Sequence, residues 1–223
     1  MLAAVAEQTT TVFDIAGIAL YTLLGLTALW GAWCVIVVWM RVGQKRFRSE
    51  GDQDAFLDAL DKPLEERDFD AIATACQTDR RAMPQLIYLA VVNRKIGYGK
   101  VRQLVLDRFQ RDVLADLEHR LSWVNTVIKS APMLGLLGTV VGMIGAFAKL
   151  ASGDGAKPED LAGDISTALY TTACGLAIAI PLVMCTASIN VRIRKMEDLI
   201  GAGMTRFLDT FRVTLGKSKR AEK

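Results

Sequence analysis

Three long stretches without a charged residue constrain the fold of this chain more than any other feature of its sequence. They run from Ile15 to Met40, from Ser130 to Ala148 and from Ile165 to Val191, and contain 26, 19 and 27 residues. As a helix, even the shortest would extend roughly 28 Å at ~1.5 Å per residue, close to the ~30 Å hydrocarbon core of a bilayer. Because 52% of the 223 residues are hydrophobic, the chain is predicted to form one integral membrane domain.

Positive charges follow the first and third of these stretches. Arg41, Lys45 and Arg46 come directly after the first, basic residues recur after Val191, and Lys157 is the one basic residue in the segment 150–163. By the positive-inside rule, the N-terminus lies outside and the C-terminus inside. The predicted segments are a periplasmic N-terminus (1–14), a span (15–40), a cytoplasmic helical domain (41–128), a span (129–149), a periplasmic loop (150–163), a span (164–191) and a cytoplasmic tail (192–223).

The segment between the first and second spans has the pattern of several helices. Pro63 and Pro84 are expected to interrupt it, which gives short helices over 52–60, 63–76 and 82–94. Apolar side chains then recur every three or four residues up to the second span, at Leu114, Leu117, Leu121, Val124 and Ile128. This periodicity predicts one helix from about residue 100 to about residue 150, and the third span is also expected to continue past residue 191. The predicted fold is an all-α membrane protein with three transmembrane helices, of which the second and third extend into a cytoplasmic helical domain.

Glycines lie on one face of the second span. Spacings of three, four and three residues separate Gly135, Gly138, Gly142 and Gly145. A helix face without side chains lets another helix approach closely, which is how membrane helices associate. Gly175 in the third span is assigned the same packing role. Pro132 and Pro181 are expected to kink their helices, and a membrane helix tolerates them because its neighbours satisfy the freed carbonyl groups. A glycine-packed helix with an incidental threonine remains the plain alternative for this face.

Hydroxyl groups are the main polar groups of the three spans, which contain no Asp, Glu, Lys, Arg or His. Membrane threonines often donate to a backbone carbonyl one turn back, and they can also line a wet path or coordinate an ion. A hydroxyl cannot store a proton at physiological pH. If the chain takes part in proton flow, the titrating group is therefore expected on another chain.

Other classes of function find little support in the composition. The four cysteines form no CxxC pair and His119 is the single histidine, so neither a metal site nor a disulfide framework is expected. The sequence contains no serine–histidine, paired-carboxylate or P-loop arrangement, so we expect neither an enzyme nor a cofactor. The basic residues do not alternate with aromatic ones, which argues against a nucleic-acid surface.

Two motifs are more specific than the glycines alone. The second span reads APMLGLLGTVVG from Ala131 to Gly142, and the third reads ISTALYTTACGLAIAIP from Ile165 to Pro181. In this order, they resemble the second and third membrane helices of the ExbB/TolQ/MotA ion-channel family. The resemblance covers the three spans well, and the segment between the first two only in length and helical character.

This resemblance implies partners and a set of site residues. Family members form rings, usually pentamers, in the bacterial inner membrane around two single-span helices of an ExbD-, TolR- or MotB-like partner that carries a membrane aspartate. Carried over by motif, Thr139 and Thr172 would face that aspartate, Thr171 would flank it, and Thr167 would lie on the ion path. In such a ring, the glycine face of the second span is expected to contact a neighbouring subunit.

The resemblance is closest to the three-span ExbB- and TolQ-like members, because MotA-like members have four spans. This sequence has Thr167 at a position where the ExbB and TolQ proteins that it resembles commonly carry a glutamate. The expected function is a channel subunit that couples proton-motive force to mechanical work, in ExbB-like energisation of outer-membrane transport or TolQ-like envelope maintenance. A gliding-motility subunit, a sodium-driven motor subunit and a non-conducting membrane scaffold are the alternatives. Protons are favoured because most three-span relatives use them, whereas the cluster of hydroxyl oxygens leaves sodium open.

Overall fold

The regular elements of the described residues are all helical. The computed structural model describes residues 2–47, 49–151 and 158–221, which contain no strand. In chain order the α-helices are α1 (Leu2–Lys45), α2 (Glu50–Glu65), α3 (Phe69–Gln77), α4 (Ala82–Val92), α5 (Tyr98–Arg108), α6 (Ala115–Ala151) and α7 (Pro158–Ala221). A 3₁₀ turn (Arg94–Ile96) precedes α5, and a π-helical segment (Phe109–Leu114) joins α5 to α6. The predicted all-α class is confirmed.

Three helices are long and apolar enough to cross a membrane: α1, the continuous helix Tyr98–Ala151 and α7. Only 22%, 28% and 28% of the residues in their most apolar windows are buried within the protein. Helices that are apolar on nearly all sides and yet expose those sides are typical of membrane spans. Three helices of membrane-spanning length and composition were predicted and are present, and the predicted segment boundaries remain predictions. Of the predicted loop 150–163, residues 152–157 lie outside the described residues.

The chain divides into two compact units. One, here called the span unit, comprises Met1–Ile36 and Leu121–Ala187. The other, the helical unit, comprises Val37–Arg120 and Ser188–Lys223. The span unit therefore contains the charge-free part of α6 and most of that of α7, and the helical unit contains α2 to α5.

Large side chains form the core of the helical unit. Ile72, Met83, Val101 and Phe211 have no exposed surface. The Phe211 ring stacks on Phe207 with 5.6 Å between ring centroids. Complete burial of such a side chain contributes about 1.5–3 kcal/mol relative to exposure, so this core stabilises the unit in water. Because α7 supplies Phe211, the predicted continuation of the third span beyond residue 191 is confirmed.

The prolines interrupt the helices less than expected. α2 continues through Pro63 to Glu65, so the predicted boundary at this residue is wrong. The chain turns instead at Arg67, whose φ of 62° is left-handed, and Asp68 then caps α3 by accepting a hydrogen bond from the Ala71 N–H at 2.9 Å. A proline in the last turn of a helix removes a single backbone bond, whereas a left-handed residue followed by a cap redirects the chain.

Prolines also lie inside the other helices. Pro84 lies in the first turn of α4, where the missing N–H has no intrahelical partner to lose. α6 and α7 continue through Pro132 and Pro181, and the kinks expected there remain predictions.

The long second helix is confirmed, with one local difference. Helix runs without a break from Tyr98 to Ala151, but residues Phe109–Leu114 are π-helical. A π segment accommodates an additional residue within a turn and shifts the faces that follow it. On an uninterrupted α-helix at ~100° per residue, Val105 and Leu117 would lie about 120° apart. Both are buried, and the π segment between them reduces this difference in direction.

Candidate ion-path site

Glycine allows α6 and α7 to approach each other closely within the span unit. A Cβ atom added at Gly135 would lie 2.8 Å from the carbonyl oxygen of Thr171, and one at Gly138 would collide with the Thr171 side chain. On the opposite helix, a Cβ atom at Gly175 would lie 2.6 Å from the carbonyl oxygen of Ala131. These distances are shorter than van der Waals contact, so the observed packing requires the small residues.

The helix that faces the glycines differs from the one expected. We predicted that they contact a neighbouring subunit, but α7 of the same chain occupies this face. A Cβ atom at Gly142 would lie 2.6 Å from the Cβ of Ala168 on α7, and Gly145 is buried in the same unit. A small-residue face has the same sequence pattern whichever chain supplies the opposite helix, so the sequence could not distinguish the two arrangements.

Two of the predicted ion-path threonines meet at one backbone carbonyl. Thr172 donates a hydrogen bond to the carbonyl oxygen of Gly135 at 2.9 Å. The Thr171 hydroxyl is buried and lies 3.0 Å from the same oxygen and 2.6 Å from the carbonyl oxygen of Ala168. In an α-helix the carbonyl of Gly135 also accepts the N–H of Thr139. One carbonyl therefore joins three of the four predicted residues.

The other two predicted threonines donate within their own helices. Thr139 donates to the carbonyl oxygen of Leu136 at 2.7 Å, and Thr167 donates to that of Gly163 at 3.0 Å. Tyr21 of α1 donates to the carbonyl oxygen of Thr167 at 3.1 Å. A threonine hydroxyl has one proton to donate and two lone pairs to accept. Since backbone carbonyls take these protons, the threonine oxygens remain available as acceptors for a protonated carboxyl or as ligands for a cation.

A cavity of about 400 Å³ opens beside these groups in the span unit. α6 contributes Gly138, Gly142 and Gly145 to its wall, and α7 contributes Thr167 and Thr171. Of the four predicted ion-path threonines, Thr167 and Thr171 line this cavity, whereas Thr139 and Thr172 are not among its lining residues. No group of three or more His, Cys, Asp and Glu side chains suited to a metal ion occurs among the residues that the structure describes.

Three polar residues that the sequence analysis did not select also line this cavity. They are Tyr21, Lys149 and Asp164. The Lys149 ammonium lies 2.7 Å from a carboxylate oxygen of Asp164 and forms an ion pair with it. Both charges lie just outside the charge-free stretches, so a search within those stretches excluded them. The one available signal was the occurrence of opposite charges on the two sides of the predicted loop between the second and third spans.

The fold and the site define a class: an all-helical protein with three helices of membrane-spanning length, the second and third in glycine-mediated contact beside a threonine-lined cavity. A family model described as the MotA/TolQ/ExbB proton channel family matches residues 80–201. The chain belongs to this family. The matched segment includes Thr139, Thr167, Thr171, Thr172 and Asp164, so the resemblance found in the two motifs is confirmed. The family consists of channel and transport proteins rather than enzymes.

Individual relatives agree with this membership. The chain is 35% identical over 102 residues to the Tol-Pal system protein TolQ of Haemophilus influenzae, which covers 46% of this chain and 43% of TolQ. It is 34% identical over 109 residues to the biopolymer transport protein ExbB of Helicobacter pylori, covering 49% of this chain and 72% of ExbB. With ExbB of Xanthomonas campestris, the identity is 36% over 92 residues, covering 40% of this chain and 36% of the relative. The chain thus spans less than half of the length of two of these three relatives.

Proposed function

We propose that this chain is a channel subunit of an ion-driven motor in the bacterial inner membrane, which converts proton-motive force into mechanical work through a single-span partner similar to ExbD, TolR or MotB. The observation that carries the proposal is the convergence of Thr171 and Thr172 on the carbonyl of Gly135. Because both hydroxyl protons point to backbone carbonyls, the two threonine oxygens are left as acceptors. The hydrogen bonds to Gly135 would break if α6 and α7 separated.

The proposed mechanism follows from this hydrogen-bond polarity. A protonated carboxyl on the partner has a proton to donate, and the oxygen of Thr172 or Thr139 can accept it. After the proton leaves, the carboxylate requires donors, and these hydroxyls can donate only by leaving their backbone carbonyls. The threonine site therefore favours the protonated partner and disfavours the ionised one. In a ring of identical subunits, which we take to be a pentamer, this difference would drive the partner from one site to the next.

Two further features of the proposal are its orientation and its ion. Because basic residues follow the first and third spans, a tag at Met1 is expected to be periplasmic and a tag at Lys223 cytoplasmic.

Protons are the favoured ion, since a proton needs one acceptor, whereas sodium needs its hydration shell replaced by several oxygens. Replacement of sodium by potassium at constant proton-motive force is expected to leave ion flux unchanged, and a loss of flux would assign the threonine cluster to sodium.

The central test is Thr172→Val in the complete complex with its single-span partner. Valine keeps the shape of threonine and removes its oxygen, so we expect an intact oligomer and a loss of partner-dependent ion flux of at least about tenfold. Flux is measured in vesicles at constant proton-motive force, and assembly is measured by size-exclusion chromatography in mild detergent.

Thr27→Val provides a matched control. Thr27 donates to the carbonyl oxygen of Leu24 at 2.9 Å within α1, so it is a membrane threonine of similar local bonding outside the proposed site. It should retain wild-type flux. Full flux in Thr172→Val would contradict the mechanism, and a wild-type complex without any partner-dependent flux would favour the non-conducting scaffold.

A further inference from the structure

The strongest unassigned feature of the span unit is the ion pair at the hairpin end of the cavity, where α6 ends and α7 begins. Lys149 lies in the last turn of α6 and Asp164 in the second turn of α7, and both line the cavity together with Thr167 and Thr171. Their side chains are 39% and 29% exposed. The pair is therefore accessible to water and also faces the interior of the cavity.

We propose that the Asp164 carboxylate is the group of this chain that takes up the transported monovalent cation at the hairpin end, and that Lys149 is its resting counter-ion. This inference rests on the proposed channel function and extends it, because it adds a carboxylate of this chain to a path otherwise lined by hydroxyls. A cation from solvent would replace the Lys149 ammonium at the carboxylate, and the ammonium would return when the cation moves on.

The spacing of oxygens along α7 supports this assignment. Asp164, Thr167 and Thr171 are separated by three and four residues, so they lie on one helix face, and all three line the same cavity. The carboxylate can attract a cation from solvent, and the threonine oxygens offer acceptors one and two turns further along α7. A cavity of about 400 Å³ has room for water between these groups.

The electrostatic setting makes such an exchange feasible. A partly exposed ion pair is held weakly, because water competes for both partners. The groups that face Asp164 across the cavity from the other helices, among the described lining residues, are Lys149 on α6 and the Tyr21 hydroxyl on α1. Lys149 is the cation among them, so its ammonium is the group that an incoming ion must displace.

A purely structural role makes the opposite prediction. If the ion pair only fastens the end of α6 to the start of α7, Asp164→Asn and Lys149→Met should impair flux equally. Exchanging the two residues in the double variant Lys149→Asp/Asp164→Lys should then restore it. Uptake by the carboxylate predicts unequal effects of the two substitutions instead, since Asp164 binds the ion and Lys149 competes with it.

The experiment measures cation flux in vesicles that contain the complete complex. We expect Asp164→Asn to lower the initial rate at least about tenfold, and Asp164→Glu to retain much of it. Lys149→Met should retain flux and lower the half-saturating cation concentration, because the tethered ammonium no longer competes. The charge exchange should not restore flux. Glu159→Gln is the matched control, since Glu159 is an exposed carboxylate in the first turn of α7 that does not line the cavity.

The outcomes separate this inference from the proposed function. Wild-type flux that persists in Asp164→Asn would overturn the assignment of Asp164 alone, as would equal losses in the two single variants with rescue by charge exchange. Loss of flux in Lys149→Met would also overturn the assignment of Asp164. This result can be read even if the Asp164→Asn variant fails to assemble. Absence of partner-dependent flux in the wild type would overturn the proposed function and this inference with it. Parallel measurements in sodium and in potassium identify whether the ion at Asp164 is sodium or the proton.

Discussion

The span unit and the helical unit pack their helices in opposite ways. Between α6 and α7 of the span unit the buried residues are small, such as Ala131, Ala168 and Gly135. In the helical unit, the buried residues include Phe211 and Met83, both fully enclosed. Lipid gives no hydrophobic drive for helices to associate, so close backbone contact holds the first pair together. Water provides that drive in the second unit, where large apolar side chains fill the core.

This comparison predicts opposite sensitivities to side-chain volume. Added atoms should damage the span unit, where backbone lies against backbone, and removed atoms should damage the helical unit, where a cavity would remain. Larger side chains in the span unit and smaller ones in the helical unit therefore test whether each unit is stabilised as its contacts indicate.

The largest expected effect is that of Gly135→Leu in the span unit. Its Cβ would lie 2.8 Å from the carbonyl oxygen of Thr171 and 2.9 Å from the Cα of Thr172, and backbone cannot move aside as a side chain can. We expect a loss of at least about 3 kcal/mol, at the upper end of overpacking costs, measured as a lower melting temperature and a broken oligomer peak in detergent. Gly25→Leu is the control, because no atom lies within 4 Å of its added Cβ; equal damage by both would contradict the packing argument.

The corresponding change in the helical unit is Phe211→Ala. Phe211 is fully buried and its ring also lies edge-on to Phe69, with 6.2 Å between centroids. Removal of a buried phenyl group typically costs about 3–5 kcal/mol, and chemical denaturation of the purified chain would measure it. Val213→Ala is the neighbouring control, since Val213 is 57% exposed. A small effect at Phe211 would mean that this core does not determine the stability of the unit.

A smaller effect is expected from the hydrogen bond of Thr171. Valine preserves its volume and removes the hydroxyl, so Thr171→Val should cost about 0.5–1.5 kcal/mol in thermal unfolding. Thr171→Ser keeps the hydroxyl and loses a methyl group, so it separates the bond from the packing. If only the serine variant is destabilised, packing rather than hydrogen bonding holds this contact.

The smallest effect concerns pH and the helical unit. The side-chain hydrogen bond from Arg81 lowers the pKa of Asp79 below its usual value. The ionised carboxylate is thus favoured by folding, and its contribution is present above a pH of about 4 and is lost as the pH falls through the lowered pKa. Asp79→Asn should therefore lower the melting temperature at neutral pH by an amount equivalent to less than about 1 kcal/mol. The difference should disappear in acid, and a difference that grew there would reverse the assigned sign.

Periodicity along one helix was predictable from sequence, and contacts between helices were not. The charge-free stretches gave the three spans, and the apolar spacing from Leu114 to Ile128 gave the helix that continues into the second. The sequence also placed the glycines on one face, since spacings of three and four are a local property. That α7 of the same chain meets this face depends on the hairpin geometry, which no local pattern encodes.

The candidate site follows the same division. Motif matching selected Thr139, Thr171 and Thr172, and the structure joins them through the carbonyl of Gly135. Lys149 and Asp164 were missed because they are 15 residues apart in sequence and become neighbours only when the hairpin closes. The boundary placed at Pro63 failed for a related reason: the turn depends on the backbone of Arg67, which has no strong residue signature.

The shared acceptor at Gly135 has an evolutionary consequence. The hydroxyls of Thr171 and Thr172 compete for one oxygen, so loss of either leaves the other better bonded. The first replacement should therefore cost less stability than the second. Substitutions there are expected to be epistatic: the double variant should lose more stability than the sum of the single variants. For stability alone, lineages would then be expected to retain at least one of the two threonines, and the proposed role of Thr172 in ion flux would make it the one retained.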